Sequence, residues 1–347
     1  MRHRRYPKIY IRSQSDLANQ ISNHNFPNSK KRTLKLIGDV NKNFDSYWRD
    51  HPPKEEGGQS KDGKWVRDAS GTKLGKVISL INENVLATHD HLLPAFIFGG
   101  VTEKNVKQAA AYLNGEFKKQ RTLLKLDVKG FFEQIRGDRV EQFLAGKCRC
   151  SKKGAKLLSR FCCIPYGPKD RPSDYETIAR GFATSSRLAV WCNLDTFIAL
   201  ERLVKKDMRG KEPRIAVYVD DIGITASKAT KDEMLQLYEK IKKELLRDPN
   251  QRLPLNEDKT RIIFHHGTAY DKNGKLLPKK EWGFEHLGIR IGRNTLTLGK
   301  KPWGKLRNIN AEWKNNRNLD EGIKNSRKAL LRYKGYIEAP AVSTSEK

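Results

Sequence analysis

Tyr218-Val219-Asp220-Asp221, entered from Arg214-Ile215-Ala216-Val217 and left through Ile222-Gly223-Ile224, is the stretch that decides the fold. Ile215, Val217 and Val219 fall on alternate positions, the period of a half-buried strand. The apolar run resumes directly after the two aspartates. The segment therefore reads as a β-hairpin with adjacent carboxylates at its tip. Such a tip suits a pair of hard divalent cations, which take oxygen ligands and bridge phosphates. Asp-Asp also serves as an ordinary turn, so the rest of the chain has to decide.

The 347 residues hold 69 Lys+Arg against 40 Asp+Glu, a formal charge of +29. That excess costs self-repulsion in the folded state, and a polyanionic partner explains it; nucleic acid is favoured over membrane. No apolar run approaches the roughly 18–20 residues that span a bilayer. The basic Met1-Arg2-His3-Arg4-Arg5 leads into a polar stretch, not a signal-peptide core. A cytoplasmic protein with no membrane partner is expected. The length allows one large domain or two smaller ones with real cores. Cys148, Cys150, Cys162, Cys163 and Cys192 are an odd set that fits reduced thiols. Cys148-Arg149-Cys150 with Cys162-Cys163 offers four thiolates for zinc at an unusual spacing; buried thiols are the other reading.

Residues 1–49 read as a basic, mostly helical N-terminal extension. Pro52 to Gly75 is rich in Gly, Lys, Asp and Ser and reads as a mobile basic hairpin, with Lys64-Trp65-Val66-Arg67 a short strand. Val77–Leu86 and Glu103–Gly115 carry helical patterns, and Leu188–Val204 is apolar enough for one buried helix. Leu123-Leu124-Lys125-Leu126-Asp127-Val128 is a strand ending at an aspartate. Thr230–Arg247 is an amphipathic helix opened by a Thr230/Glu233 capping box, with Leu235, Tyr238, Ile241 and Leu245 on one face. Residues 262–298 return to strands, with turns at Asn273-Gly274 and Gly292-Arg293. The tail from Lys300 is basic and partly helical, Trp303 and Trp313 are expected in a small core there, and 342–347 reads as disordered. No repeat and no Rossmann or P-loop glycine pattern is present.

Joining a nucleotide to a growing strand needs carboxylates from separate strands converging on two metal ions. Asp127 at a strand end and Asp220 with Asp221 at a hairpin tip meet that demand. Leu126-Asp127-Val128-Lys129-Gly130-Phe131-Phe132 followed by Tyr218-Val219-Asp220-Asp221 resembles motifs A and C of a reverse transcriptase. Other segments fall in the same family order. Arg180-Gly181-Phe182-Ala183-Thr184-Ser185 resembles motif B, and Leu255-Asn256-Glu257-Asp258-Lys259-Thr260 resembles motif D. Phe284-Glu285-His286-Leu287-Gly288 is similar to the primer-grip hairpin, while Trp65-Val66-Arg67 and Phe98-Gly99-Gly100 resemble fingers segments. The likeness runs from about Lys64 to Ile291.

The resemblance implies an α+β right-hand polymerase: fingers and a palm of antiparallel sheet backed by helices over 50–298, and a short helical thumb over 299–341. It implies RNA-directed DNA synthesis with two Mg²⁺ ions, Mn²⁺ being a substitute. Asp127, Asp220 and Asp221 with the Val128 carbonyl would hold the metals, and Lys259 would protonate the leaving pyrophosphate. Arg67, Arg180 and Gly181 would contact the nucleotide. Phe132, five residues after Asp127, would exclude ribose. Tyr218, Leu287 and Gly288 would grip the primer, and His286 reads as a hairpin side chain near a phosphate. The implied partners are a structured noncoding RNA as template, the DNA product, deoxynucleotides, and a protein partner or second copy.

Departures from the family pattern set the subgroup. Ala183-Thr184-Ser185 stands where many relatives carry proline, glutamine and glycine, and Phe132 is followed by Glu133-Gln134 instead of Pro-Ser. The retron signature is missing at Gln108-Ala109-Ala110-Ala111-Tyr112, and no maturase, endonuclease or ribonuclease H segment is visible. The chain is thus more similar to the bacterial phage-defence and unclassified enzymes than to retron or group II intron ones, and antiviral defence is the implied setting. The altered motif B leaves a template-independent or protein-primed nucleotidyltransferase open, and a nonpolymerising RNA-binding scaffold is the rival from another class.

Overall fold

Leu123, Leu124 and Leu126 bury completely, which makes the segment ahead of Asp127 the centre of a sheet and not its edge. In the computed structural model, which describes residues 6–22, 26, 28–53, 64–115, 120–293, 295–315 and 320–339, this segment is the third strand. The tail 342–347 and the tip of the hairpin expected between Pro52 and Gly75 lie outside the described residues. The elements run α1 (Gln14–Ile21), α2 (Ser29–Lys42), β1 (Arg49–His51), β2 (Val66–Asp68), α3 (Lys73–Ile81), α4 (Val106–Asn114) and β3 (Arg121–Asp127). There follow α5 (Gly137–Gly146), α6 (Lys152–Cys162), β4 (Cys163–Pro165), β5 (Glu176–Ile178), α7 (Ser185–Cys192), α8 (Leu194–Asp207), β6 (Arg214–Tyr218) and β7 (Asp221–Ser227). Last come α9 (Lys231–Leu245), β8 (Arg261–Phe264), β9 (Ala269–Tyr270), β10 (Glu285–His286), β11 (Ile289–Ile291), β12 (Leu296–Leu298), α10 (Lys300–Asn315) and α11 (Glu321–Glu338).

The chain is of mixed α and β structure and divides into two units, Met1–Glu103 with Lys129–Ile198 and Leu245–Leu253, and Lys104–Val128 with Ala199–Glu244 and Pro254–Lys347. The second unit carries an antiparallel five-stranded sheet in the order β6-β7-β3-β8-β9. Both faces of its middle are buried, so β3 and β7 read as near-continuous apolar runs. Helix α4 packs on β6 and β7. Its capping box at Asn105 and Gln108 and its stop at Gly115, φ +63°, fix its length. Helix α9 buries Met234, Leu237, Tyr238 and Ile241, the i, i+3, i+4, i+7 face, with Thr230 and Glu233 forming the expected cap. A second sheet, β10-β11-β12, adjoins α4 and α11.

The first unit joins two short antiparallel pairs, β1-β2 and β4-β5, to a helical core. The segment ahead of α1 puts Ile9 and Ile11 into that core, where Ile9 donates to the Cys148 carbonyl and the Ile11 carbonyl accepts from Ser151. Helices α5 and α6, which pack on each other, have no counterpart in the sequence reading.

Expectations about the helices fail at two places. The single helix over 188–204 is two helices, broken at Asn193 with φ −104° and ψ 7°. The Asn193 amide turns back to the Ala189 carbonyl at 2.9 Å and its oxygen accepts from Arg139 at 2.7 Å, an arrangement that competes with the helical ladder. Trp303 and Trp313 are not in a small core: they are 49% and 41% exposed. Lys334 and Arg327 lie over their rings, at 5.4 and 4.5 Å. Among the described residues no helix is long and apolar enough to cross a membrane.

Candidate active site

Asp127 closes β3 directly opposite Asp221, the first residue of β7, while Tyr218 faces the same Asp221 from β6. Directly opposed residues of an antiparallel pair share one face with Cβ atoms about 4.5–5.5 Å apart. Two acids nearly a hundred positions apart in sequence are neighbours for that reason. Asp220 sits in the two-residue turn between β6 and β7, and its carbonyl accepts from the Val128 N–H at 2.9 Å, which ties the end of β3 to the turn. The turn is strained. Val219 has φ +59° while Asp220 has no positive φ, the pattern of a type II′ hairpin whose first central position favours glycine. A β-branched residue there costs on the order of 1–2 kcal/mol.

Burial, and next the neighbouring Asp220 charge, push the Asp221 carboxyl up to about 6; Asp127 adds to the rise, while Lys125 and Lys259 oppose it. The Lys259 ammonium stands 3.3 Å from the Asp127 carboxylate. Its placement is built locally: Asn256 donates to the Asp127 carbonyl at 2.8 Å, Leu255 bridges Val128, and Glu257–Lys259 forms a 3-10 turn. Lys242 and Lys272 both pair with Glu257, bonds that hold its carboxyl down to about 2 and anchor the turn.

Asp127 and Asp221 open into a cleft of about 480 Å³ that Lys125, Arg261, Lys300 and Lys301 also line, together with Glu281 and Glu285. Sequence reasoning missed Lys125 and Arg261 as site residues. The period of two puts Lys125 on the Asp127 face of β3, and Arg261 is its cross-strand partner on β8. Arg261 is held by Glu281 at 2.7 Å, and the remaining cations around the carboxylates, Lys125, Lys300 and Lys301, are the complement of a polyphosphate bound through a divalent cation. The donor set itself, carboxylate oxygens held among like charges, is the kind that Mg²⁺ takes. Among the described residues, however, no three His, Cys, Asp or Glu side chains gather tightly enough to hold a metal alone.

The Leu287-Gly288 turn joins β10 to β11 with both residues at positive φ, +53° and +73°, a type I′ hairpin. Beneath it His286 is wholly buried, not near a phosphate as expected, and neither ring nitrogen has a partner. Burial, with Lys125 second, pushes the ring down to about 3, so it is neutral. It fits because Gly223 lacks a side chain: a Cβ there would meet Leu113 at 2.6 Å and the His286 ring at 2.8 Å.

The expected nucleotide contacts cluster in the first unit. Arg180 grips both oxygens of Glu133, at 2.9 and 3.1 Å, and lies 4.9 Å over the Phe132 ring. Phe132 keeps 9% of its surface exposed; Phe131 keeps none and stacks on Phe197. Gly181, at φ +108°, brings its backbone against the Arg67 carbonyl, where any Cβ would collide. Arg67 itself is only 4% exposed, paired with Asp50 at 2.9 Å, donating to the Gly167 carbonyl and flanked by Trp48 and Trp65. Its charge is committed inside the protein, contrary to a triphosphate clamp. All five cysteines are buried free thiols, and burial pushes those of Cys162 and Cys192 up to about 11 and 12. No protein-family model matches the chain, and no curated protein matches it either.

Proposed function

We propose that the chain is an RNA-directed DNA polymerase of the reverse transcriptase kind, a right hand whose palm is the five-stranded sheet. The observation that carries this reading is the register that sets Asp127 against Asp221 with Asp220 in the adjoining turn. Asp127, Asp220 and Asp221 would hold divalent cations, with phosphate oxygens of the substrate completing a shell that three protein ligands do not close. Bound there, two such ions would activate the primer hydroxyl and neutralise the leaving pyrophosphate. The residues of the chain do the rest. Lys259 holds a proton on Nζ beside Asp127 for the leaving group. Lys125, Lys300 and Lys301 draw in the triphosphate. Phe132, kept rigid between Phe131 and Arg180, is the candidate for excluding a 2′-hydroxyl. A structured RNA partner and a role in bacterial antiviral defence belong to the same proposal, and the +29 charge supports the RNA.

Primer extension on an RNA template, with Mg²⁺ and one nucleotide at a time, tests it. The expected product contains only the deoxynucleotide complementary to the template. Addition of one nucleotide whatever the template would replace this reading with a template-independent transferase. No addition with either Mg²⁺ or Mn²⁺ would contradict both.

A further inference from the structure

In the first unit, away from any residue given a role above in metal binding, three side chains form a ladder on the β4-β5 hairpin. Tyr166 and Tyr175 bracket the connecting loop and stack at 5.4 Å with 13° between their planes. The Arg136 guanidinium lies 5.1 Å from the centre of the Tyr175 ring. The backbone fixes this arrangement. Tyr166 donates to the Tyr175 carbonyl at 3.0 Å, Ser173 donates to that of Tyr166 at 2.7 Å, and Arg136 is bridged to Thr177. Tyr166 is 42% exposed and the Arg136 side chain 58%, so a pre-stacked aromatic pair presents its outer ring to solvent.

Two clefts flank the ladder. One, of about 560 Å³, is lined by Tyr166 with Lys64 and Lys129; the other, of about 670 Å³, by Tyr175 with Arg136 and Arg252, while Arg139 there donates to the Cys192 carbonyl, Asn193 and Gln251. Glu133 borders both and Asp138 the second, but Glu133 is already paired with Arg180 and Asp138 stands 3.5 Å from Arg136. A lone nucleotide would use one cleft. Cations on both sides of an open ring match a strand, in which a base is bracketed by two phosphates. Aromatic rings accept any base by stacking, and flanking cations follow the backbone.

We propose that Tyr166, backed by Tyr175 and Arg136, is a landing for an unpaired base of single-stranded nucleic acid, with the neighbouring phosphates in the two cationic clefts. This rests on the nucleic-acid ligand of the proposed function and not on polymerisation. The test is equilibrium binding of a labelled 12-mer single strand across a salt series, with Asp232→Asn, on the exposed side of α9, binding as the unmodified chain does. Tyr166→Ala should weaken binding about 5- to 100-fold with an unchanged salt slope, since stacking releases no counterions. Tyr166→Phe should bind normally. Arg136→Gln with Arg252→Gln should make the slope shallower by about one. A 2-aminopurine in the strand should be quenched by the unmodified chain and released from quenching by Tyr166→Ala. Equal affinity and equal quenching for Tyr166→Ala, or failure of Tyr166→Phe to bind, would overturn the proposal, as would a free mononucleotide competing as well as the strand. A chain that binds strands this way yet adds no nucleotide would overturn the polymerase reading alone.

Discussion

At the scale of single residues, Asp221 carries the tension of the site. Its folded pKa is raised to about 6 from 3.8, so the folded state holds its proton more tightly than the unfolded one. This group's contribution to stability is therefore full below pH 3.8 and is lost as the pH rises through 6. At neutral pH the metal-free protein bears a penalty of up to about 3 kcal/mol. Asp221→Asn should raise the melting temperature in EDTA at pH 7.5, with a smaller gain at pH 5, and should abolish nucleotide addition. Thermal melts at the two pH values check this; an unchanged or lower melting point at pH 7.5 would contradict it. His286 works in the opposite sense, because its depressed pKa removes stability as the pH falls from 6.5 toward 3. Asp127 and Asp221 stand out in sequence because each lies at the end of an apolar strand, and Asp220 because it fills the turn beside one. The burial of Arg67 was not: a cation in a basic segment looks solvated until Asp50, Trp48 and Trp65 close around it.

At the scale of elements, the β10-β11 hairpin depends on a missing side chain in a different sheet. Gly223→Ala should push β7 away from His286 and Leu113, destabilising the protein by roughly 1–3 kcal/mol, the usual cost of overpacking. Urea denaturation measures the loss, and an unchanged midpoint would show that the hairpin yields freely. Nothing in Ile222-Gly223-Ile224 announces this contact, since it depends on which element covers that face of the sheet. Strands β3, β6 and β7 were readable from their short apolar runs, and helices α4 and α9 from apolar period and caps that agree. The break between α7 and α8 was hidden in a continuous apolar run, where one asparagine finds tertiary partners. Val219 likewise gave no sign of its left-handed backbone, because alternation alone makes it an ordinary strand residue.

At the scale of the whole molecule, a charge of +29 predicts partners more plainly than it predicts shape. Affinity for a single strand should fall steeply with salt, by at least about tenfold between 50 and 200 mM, as cations on the chain displace counterions. A flat salt series would remove nucleic acid as the partner. The two tryptophans of α10 follow the same logic: half-exposed rings under Lys334 and Arg327 of α11 sit on a helix with few buried residues. Composition revealed the charge. Only the packing reveals that these rings stay at the surface.

If the carboxylates opposed across β3 and β7 drive nucleotide addition, Asp127→Asn removes the activity at its source. In Mg²⁺-dependent primer extension this variant should lose about a thousandfold or more in rate, the several kcal/mol that metal stabilisation of developing charge supplies. Asp232→Asn, on the exposed side of α9, should extend primers at the ordinary rate. An Asp127→Asn protein that folds normally and still extends primers at the unmodified rate would contradict the account.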